Sequence, residues 1–239
     1  AYVLSGGAVY PPPYVARASN GPVAVERLAA DLGISGFAPS TSGGTDYAVG
    51  GATTSSVNTY IFDSITALAN TGIQAQVLNF VAAPPIFDPA TSLFFVWGGP
   101  NDVELAVLTN QDPVAAAGQA IVNLANEIAL LAGVGAEHFL VPNLADLGLT
   151  PRGSSTNPTG LSLLSQGFNL GLASVLGGLE TTLGLDIVEF DTFGFFRGVV
   201  ENAATYGFTN VTDPCFDKLT SVVCANPHQY LFWDDLHPT

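Results

Sequence analysis

The final stretch of the chain, Phe232-Trp233-Asp234-Asp235-Leu236-His237-Pro238-Thr239, holds its most reactive grouping. An aspartate three residues before a histidine, in a turn, lets the carboxylate accept a hydrogen bond from the imidazole Nδ1. That fixes one tautomer, leaves Nε2 free as a base, and stabilises the imidazolium that forms. The plain structural alternative is a surface turn capped by its aspartate. A second grouping is Gly98-Gly99-Pro100-Asn101-Asp102. Its glycines permit close backbone approach to a ligand, and the Asn101 amide can donate to a developing oxyanion. The alternative there is an ordinary strand-to-helix turn with a polar cap. A third grouping, Tyr47-Ala48-Val49-Gly50-Gly51-Ala52-Thr53-Thr54, ends in a glycine pair that can present a backbone N–H as another oxyanion donor.

These groups need a scaffold, and the hydrophobic pattern supplies one. Leu93-Phe94-Phe95-Val96-Trp97 reads as a strand buried on both faces. His138-Phe139-Leu140-Val141 and Ile187-Val188-Glu189-Phe190 read as further strands, and Tyr47-Ala48-Val49 as a short one. Helical spacing runs through Val25, Leu28, Ala29 and Leu32, after a start at Ser19-Asn20-Gly21-Pro22 and before a stop at Gly33. It recurs at Ile61, Ile65, Leu68 and Ala69, at Ile121 to Leu131 after Asp112-Pro113, and from Leu161 to Leu183. Residues 1–18 are a Gly/Pro/Tyr loop, with Tyr10-Pro11-Pro12-Pro13-Tyr14 either a substrate-facing segment or a plain connector. Strands alternating with helices predict an α/β fold with a parallel sheet covered on both faces. In such sheets the site lies beyond the carboxyl ends of the strands, where the polar groupings fall.

Composition excludes several classes. Five Lys+Arg against twenty Asp+Glu in 239 residues give a net charge of −15. That balance opposes binding to nucleic acid or anionic lipid. Lys218 is the sole lysine, so no phosphate loop of the G-x-x-x-x-G-K type exists. The apolar runs read as too short for a transmembrane span. Cys215 and Cys224, nine positions apart with no histidine pair nearby, make a poor zinc motif. They read as one disulfide stapling a loop, which implies an oxidising compartment; two unpaired thiols are the alternative. The sequon Asn210-Val211-Thr212 agrees with a secreted, periplasmic or cell-surface protein. His138 reads as structural, and His228 as a residue near the cysteine loop, with a place at the mouth of a cleft as the alternative.

Taken together, the groupings resemble the GDSL, or SGNH, hydrolase family. Ser19-Asn20-Gly21-Pro22-Val23, Ala48-Val49-Gly50-Gly51-Ala52, Gly99-Pro100-Asn101-Asp102 and the terminal Asp-x-x-His stretch look like its successive blocks. Val141-Pro142-Asn143-Leu144 and Tyr206-Gly207-Phe208-Thr209-Asn210 are similar to its lipase-like branch, which includes plant GDSL lipases, bacterial lecithinases and autotransporter esterases. The resemblance implies that His237 is the base, Asp234 its acid partner, and Asn101 and Gly51 (Gly50 next) the oxyanion donors. It implies hydrolysis of a small-molecule or lipid carboxylic ester through a Ser-His-Asp acyl-enzyme, without metal or organic cofactor. It also implies a flavodoxin-like three-layer α/β/α sandwich of about five parallel strands.

The sequence departs from the family at its first block. No Gly-Asp-Ser-Leu is present, and the Ser-Asn-Gly-Pro block begins at Ser19. Ser5 is followed by Gly6-Gly7, but no apolar strand leads into it, and no G-x-S-x-G elbow occurs. The expectation is one SGNH-type domain over residues 1–239, truncated at its N-terminus, lacking the first strand, and with its nucleophile outside the chain. A non-catalytic binding or surface-display module with a hydrolase-like fold is the alternative. Retention of Asn101, Asp234 and His237 argues against it.

Overall fold

A computed structural model of the protein describes residues 8–239; Ser5 lies outside them. In chain order the helices are α1 (Ala24–Asp31), α2 (Ile73–Ala82), α3 (Pro100–Leu108), α4 (Pro113–Gly133), α5 (Pro151–Thr156), α6 (Pro158–Leu183) and α7 (Thr192–Glu201). The strands are β1 (Leu93–Phe95), β2 (His138–Pro142), β3 (Asp186–Phe190), β4 (Asn210–Pro214), β5 (Phe216–Asp217), β6 (Val222–Val223) and β7 (Tyr230–Phe232). β1, β2 and β3 form a parallel sheet in that order, with Phe95, Leu140 and Val188 in register. Helices α3 and α4 connect the first pair, and α5 and α6 the second, so the protein is an α/β fold with a parallel sheet.

The helices start where side-chain caps and proline allow. Asp112 accepts from the Val114 N–H with Pro113 behind it, and Asn157 accepts from Gly160 with Pro158 behind it. The α4 stripe of Ala117, Ala120, Leu124, Ile128 and Leu131 packs onto Phe139 and Val141 of β2 and Phe168, Leu172 and Leu176 of α6. Truncating a buried leucine here to alanine costs about 2–5 kcal/mol. By length and composition α4 is apolar enough to cross a bilayer, contrary to the expectation that no run is long enough. About a third of that stretch is buried, against α2, α3 and α6.

Some expectations give way. Among the described residues the parallel sheet has three strands, fewer than the about five implied by resemblance. Tyr47–Val49 is not a strand: Ala48 N–H donates to Asp46 Oδ1, Ala52 N–H donates to the Val49 carbonyl, and no strand among the described residues pairs with it. The apolar residues Ile61 to Ala69 form two short 3₁₀ turns, Thr59–Asp63 and Thr66–Leu68, broken by Ser64 in the left-handed region. The first helix starts at Ala24, after Val23, rather than at Pro22. Among the described residues β1 is an edge strand rather than one buried on both faces. Phe94 and Val96 turn into the core, while Leu93 and Trp97 are exposed on the opposite face with Val188 and Phe190.

Candidate active site

β7 runs beside β4 and delivers the chain, through Trp233, to Asp234. The turn then closes on itself: Trp233 N–H donates to the His237 carbonyl at 2.7 Å, and Thr239 N–H donates to the Leu231 carbonyl at 3.0 Å. Asp234 is fully buried. Its Oδ1 accepts the backbone N–H groups of Leu236 and His237 at 2.9 and 2.7 Å. His237 Nδ1 lies 3.0 Å from each carboxylate oxygen. Burial pushes the Asp234 carboxyl up, but the His237 ring, the His237 N–H and the Tyr14 hydroxyl outweigh it and hold the group well below the usual range. An ionised Asp234 places the imidazole proton on Nδ1. Nε2 has no hydrogen-bond partner among the described residues and is open to act as an acceptor.

A second group of contacts sets the position of this turn. Tyr14 donates its hydroxyl to Asp234 Oδ2 at 2.7 Å, with its ring set edge-on against Phe216 and Trp233. Burial, and then the hydrogen bond and charge of Asp234, push the Tyr14 phenol far above its ordinary value, so it stays a donor. Arg152 grips Asp235 through Nε at 2.7 Å and reaches Glu104 Oε1 with Nη1 at 2.6 Å. Glu104 lies on α3, three residues past Asn101, so one guanidinium ties the Asp-His turn to the helix that carries the amide.

The opposite wall comes from the two glycine-bearing turns. Asn101 Nδ2 donates to the Ala52 carbonyl at 2.8 Å, using one of its two N–H groups. The neighbouring Asp102 accepts from Thr54 N–H and from the Thr54 hydroxyl at 2.7 Å. These bonds lock the turn after residue 49 to the start of α3. Gly51 has φ +81°, and a side chain there would run into the Tyr60 ring and Asn58. Gly99 has φ +120°, and a Cβ would meet the Phe168 ring at 2.9 Å. Both positions therefore require glycine. The Gly51 N–H has no acceptor among the described residues.

Tyr10 spans the gap between the walls. Its ring centroid is 6.4 Å from that of His237, and its hydroxyl is 2.9 Å from the Tyr60 hydroxyl, beside Gly50. Contacts thus link the residues singled out in sequence: Gly50 and Gly51 lie against Tyr10 and Tyr60, Tyr10 packs edge-on to His237, and Arg152 joins the Asp234-Asp235 turn to the helix that carries Asn101. His138 stands apart, 2.9 Å from Asp186 at the other end of the strands. Ser19 is buried, with its hydroxyl on the Pro238 carbonyl at 3.1 Å rather than on the imidazole. Among the described residues no cluster of His, Cys, Asp and Glu could hold a metal ion.

Comparison with known proteins decides the lineage. The family model for GDSL-like lipase/acylhydrolase matches residues 5–239. The chain belongs to the GDSL-like lipase/acylhydrolase family. It is 36% identical to the anther-specific proline-rich protein APG of Arabidopsis thaliana, over 33% of this chain and 17% of that protein. It is 35% identical to a protein from the trpE-trpG intergenic region of Pseudomonas putida, over 94% of this chain and 42% of that protein. It is 26% identical to a GDSL esterase/lipase of Arabidopsis thaliana, over 93% of this chain and 73% of that protein. The chain thus spans less than half the length of the first two of these relatives.

In this GDSL-family chain, sequence reasoning did not place three residues that contact the Asp234-Asp235 turn. Tyr14 stood out only within a segment read as either substrate-facing or a plain connector, and its partner Asp234 is 220 positions away. Arg152 was not singled out by any sequence pattern. Lys218 carried a hint: it is the sole lysine, inside a loop whose ends are the cysteine pair. Cys215 and Cys224 form the expected disulfide, with Cα atoms 4.8 Å apart.

Proposed function

We propose that the protein acts in the hydrolysis of carboxylic esters, by acyl transfer through a serine. The observation that carries the reading is the His237 ring held by both oxygens of a buried, ionised Asp234, with Nε2 left without a hydrogen-bond partner among the described residues. Family membership supports a hydrolase. Residues 1–239 act as one domain, and the nucleophile is a serine of the family's Gly-Asp-Ser-Leu block, which these 239 residues do not contain.

The serine Oγ attacks the ester carbonyl as His237 Nε2 takes its proton. Asp234 stabilises the resulting imidazolium. The tetrahedral oxyanion is held by the Asn101 amide and the Gly51 N–H, each worth about 3–4 kcal/mol of barrier. His237 returns the proton to the leaving alcohol, the C–O bond breaks, and an acyl-serine remains. Water, deprotonated by the same imidazole, then releases the acid and restores the serine. The chemistry uses no cofactor, and small-molecule or lipid esters are the substrate class. The Cys215–Cys224 bridge favours action in an oxidising space, secreted, periplasmic or at the cell surface.

The test is release of p-nitrophenol from short acyl esters by a form that carries the serine block, with and without His237→Ala. Turnover that survives the substitution would falsify the role given to His237. The 239-residue chain alone should show no such turnover.

A further inference from the structure

The segment between Cys215 and Cys224 folds as a small antiparallel hairpin of β5 and β6, closed by the disulfide. It is docked on the turn that carries Asp234. The Phe216 N–H donates to the Trp233 carbonyl at 2.6 Å, and the two rings stack at 5.8 Å. At its tip stands Lys218. Its ammonium is 2.8 Å from Asp235 Oδ1 and 3.1 Å from Asp234 Oδ2. The latter oxygen also takes the Tyr14 hydroxyl and faces His237 Nδ1.

This is not an ordinary surface ion pair. Lys218 is half exposed, but the Asp234 side chain is only 1% exposed and its orientation is fixed by five donor groups. When His237 accepts a proton at Nε2, it becomes a cation on a carboxylate that already has one. A fixed positive charge at that place disfavours the imidazolium. The other charged or titratable groups facing the turn are Asp235, Arg152 and Glu104 behind it, and Tyr10, Tyr14 and Tyr60 in front. Arg152 is paired to two carboxylates, Asp235 and Glu104, whereas Lys218 reaches Asp234 itself.

We propose that Lys218, presented by the disulfide-closed hairpin, is a positioning residue that opposes protonation of His237 by sharing its Asp234 partner. On the ester-hydrolysis reading, on which its functional consequence rests, the ammonium keeps His237 available as a base at lower pH than an unaccompanied Asp-His pair would allow. The hairpin is thus a tuning element for the catalytic pair as well as a staple.

The experiment is an NMR titration of the histidine ring signals in this chain and in its Lys218→Gln and Lys218→Arg forms. His138 and His228 serve as internal references. Lys218→Gln should move the His237 midpoint upward by about half to one pH unit, the size expected for a half-screened charge at this range. Lys218→Arg should stay near the parent, and the references should not move. In a form carrying the serine block, the acid limb of kcat/KM should move upward with the ring signal. A His237 midpoint unchanged by Lys218→Gln, or moved equally by Lys218→Arg, overturns the proposal. A shifted ring signal in a protein that hydrolyses no ester upholds the electrostatic role and sinks the ester-hydrolysis reading instead.

Discussion

Tyr14 donates to Asp234 across 220 positions of sequence, at 2.7 Å, from a cage made by the Phe216 and Trp233 rings. The aspartate partner of His237 is therefore oriented by the N-terminal loop as well as by its own turn. Tyr14→Phe keeps the cage and deletes the donor. It should cost about 1–2 kcal/mol of folding stability in urea and lower kcat/KM of the serine-bearing form about tenfold. Wild-type kinetics in that variant would show that the backbone N–H groups alone suffice to orient Asp234.

Asn101 bonds the Ala52 carbonyl with one N–H and has a second to offer. In the serine-bearing form, Asn101→Ala should lower kcat on p-nitrophenyl esters by about 100- to 1,000-fold, with a smaller effect on KM. A change confined to KM would place Asn101 in binding rather than in oxyanion stabilisation.

Glu127 is a buried carboxyl on α4 with neither oxygen hydrogen-bonded among the described residues. Burial, helped by the charge of Asp102, raises it to about 8. Its folded value lies above its unfolded one, so the carboxyl is neutral in the native state. Its stability contribution is complete below about pH 4.5 and is lost as pH rises toward about 8, by about 3–5 kcal/mol. Urea unfolding across that window should show the decline, and Glu127→Gln should flatten it. An equal slope in the variant would assign the pH dependence to other groups.

The Cys215–Cys224 bridge closes a short loop, and chain-entropy arguments give it about 2–3 kcal/mol. Replacing both cysteines with serine should lower the unfolding midpoint accordingly. Reduction and alkylation of the native chain should add mass at both positions.

Arg152 links Asp235 to Glu104 while roughly two-fifths exposed, so its pairs are partly screened. Arg152→Gln should therefore cost no more than about 1 kcal/mol of stability. Its effect on kcat should be larger, several-fold, because the Asp-His turn loses its tie to α3. Equal losses in stability and rate would reduce Arg152 to a structural pair.

Legibility in the sequence followed the range of the interactions. β2, β3, α4 and α6 could be read because continuous apolar runs and helical stripes report burial directly, and because Asp112-Pro113 marks an entry to a helix. The Asp234–His237 pair was legible because its geometry is local, set within one turn. Tyr47–Val49 misled because an apolar triplet needs a neighbour to become a strand, and here it meets only turn bonds. Ile61 to Ala69 misled because Ser64 breaks the run with a left-handed backbone. The long-range contacts of Tyr14, Arg152 and Lys218 could not be read, since nothing in their own neighbourhoods records where the fold brings them.

Four of the five basic side chains, those of Arg17, Arg152, Arg197 and Lys218, are engaged with carboxylates, and two of the four converge on the Asp234-Asp235 turn. Little positive charge is left to face outward from a chain of net charge −15. The net charge thus gives a field that is on balance repulsive to anions, at distances up to the Debye length of about 8–10 Å. On the proposed ester-hydrolysis reading this has a direction: a neutral ester would arrive unopposed, while the carboxylate formed from it would be pushed away, and added salt would weaken that push.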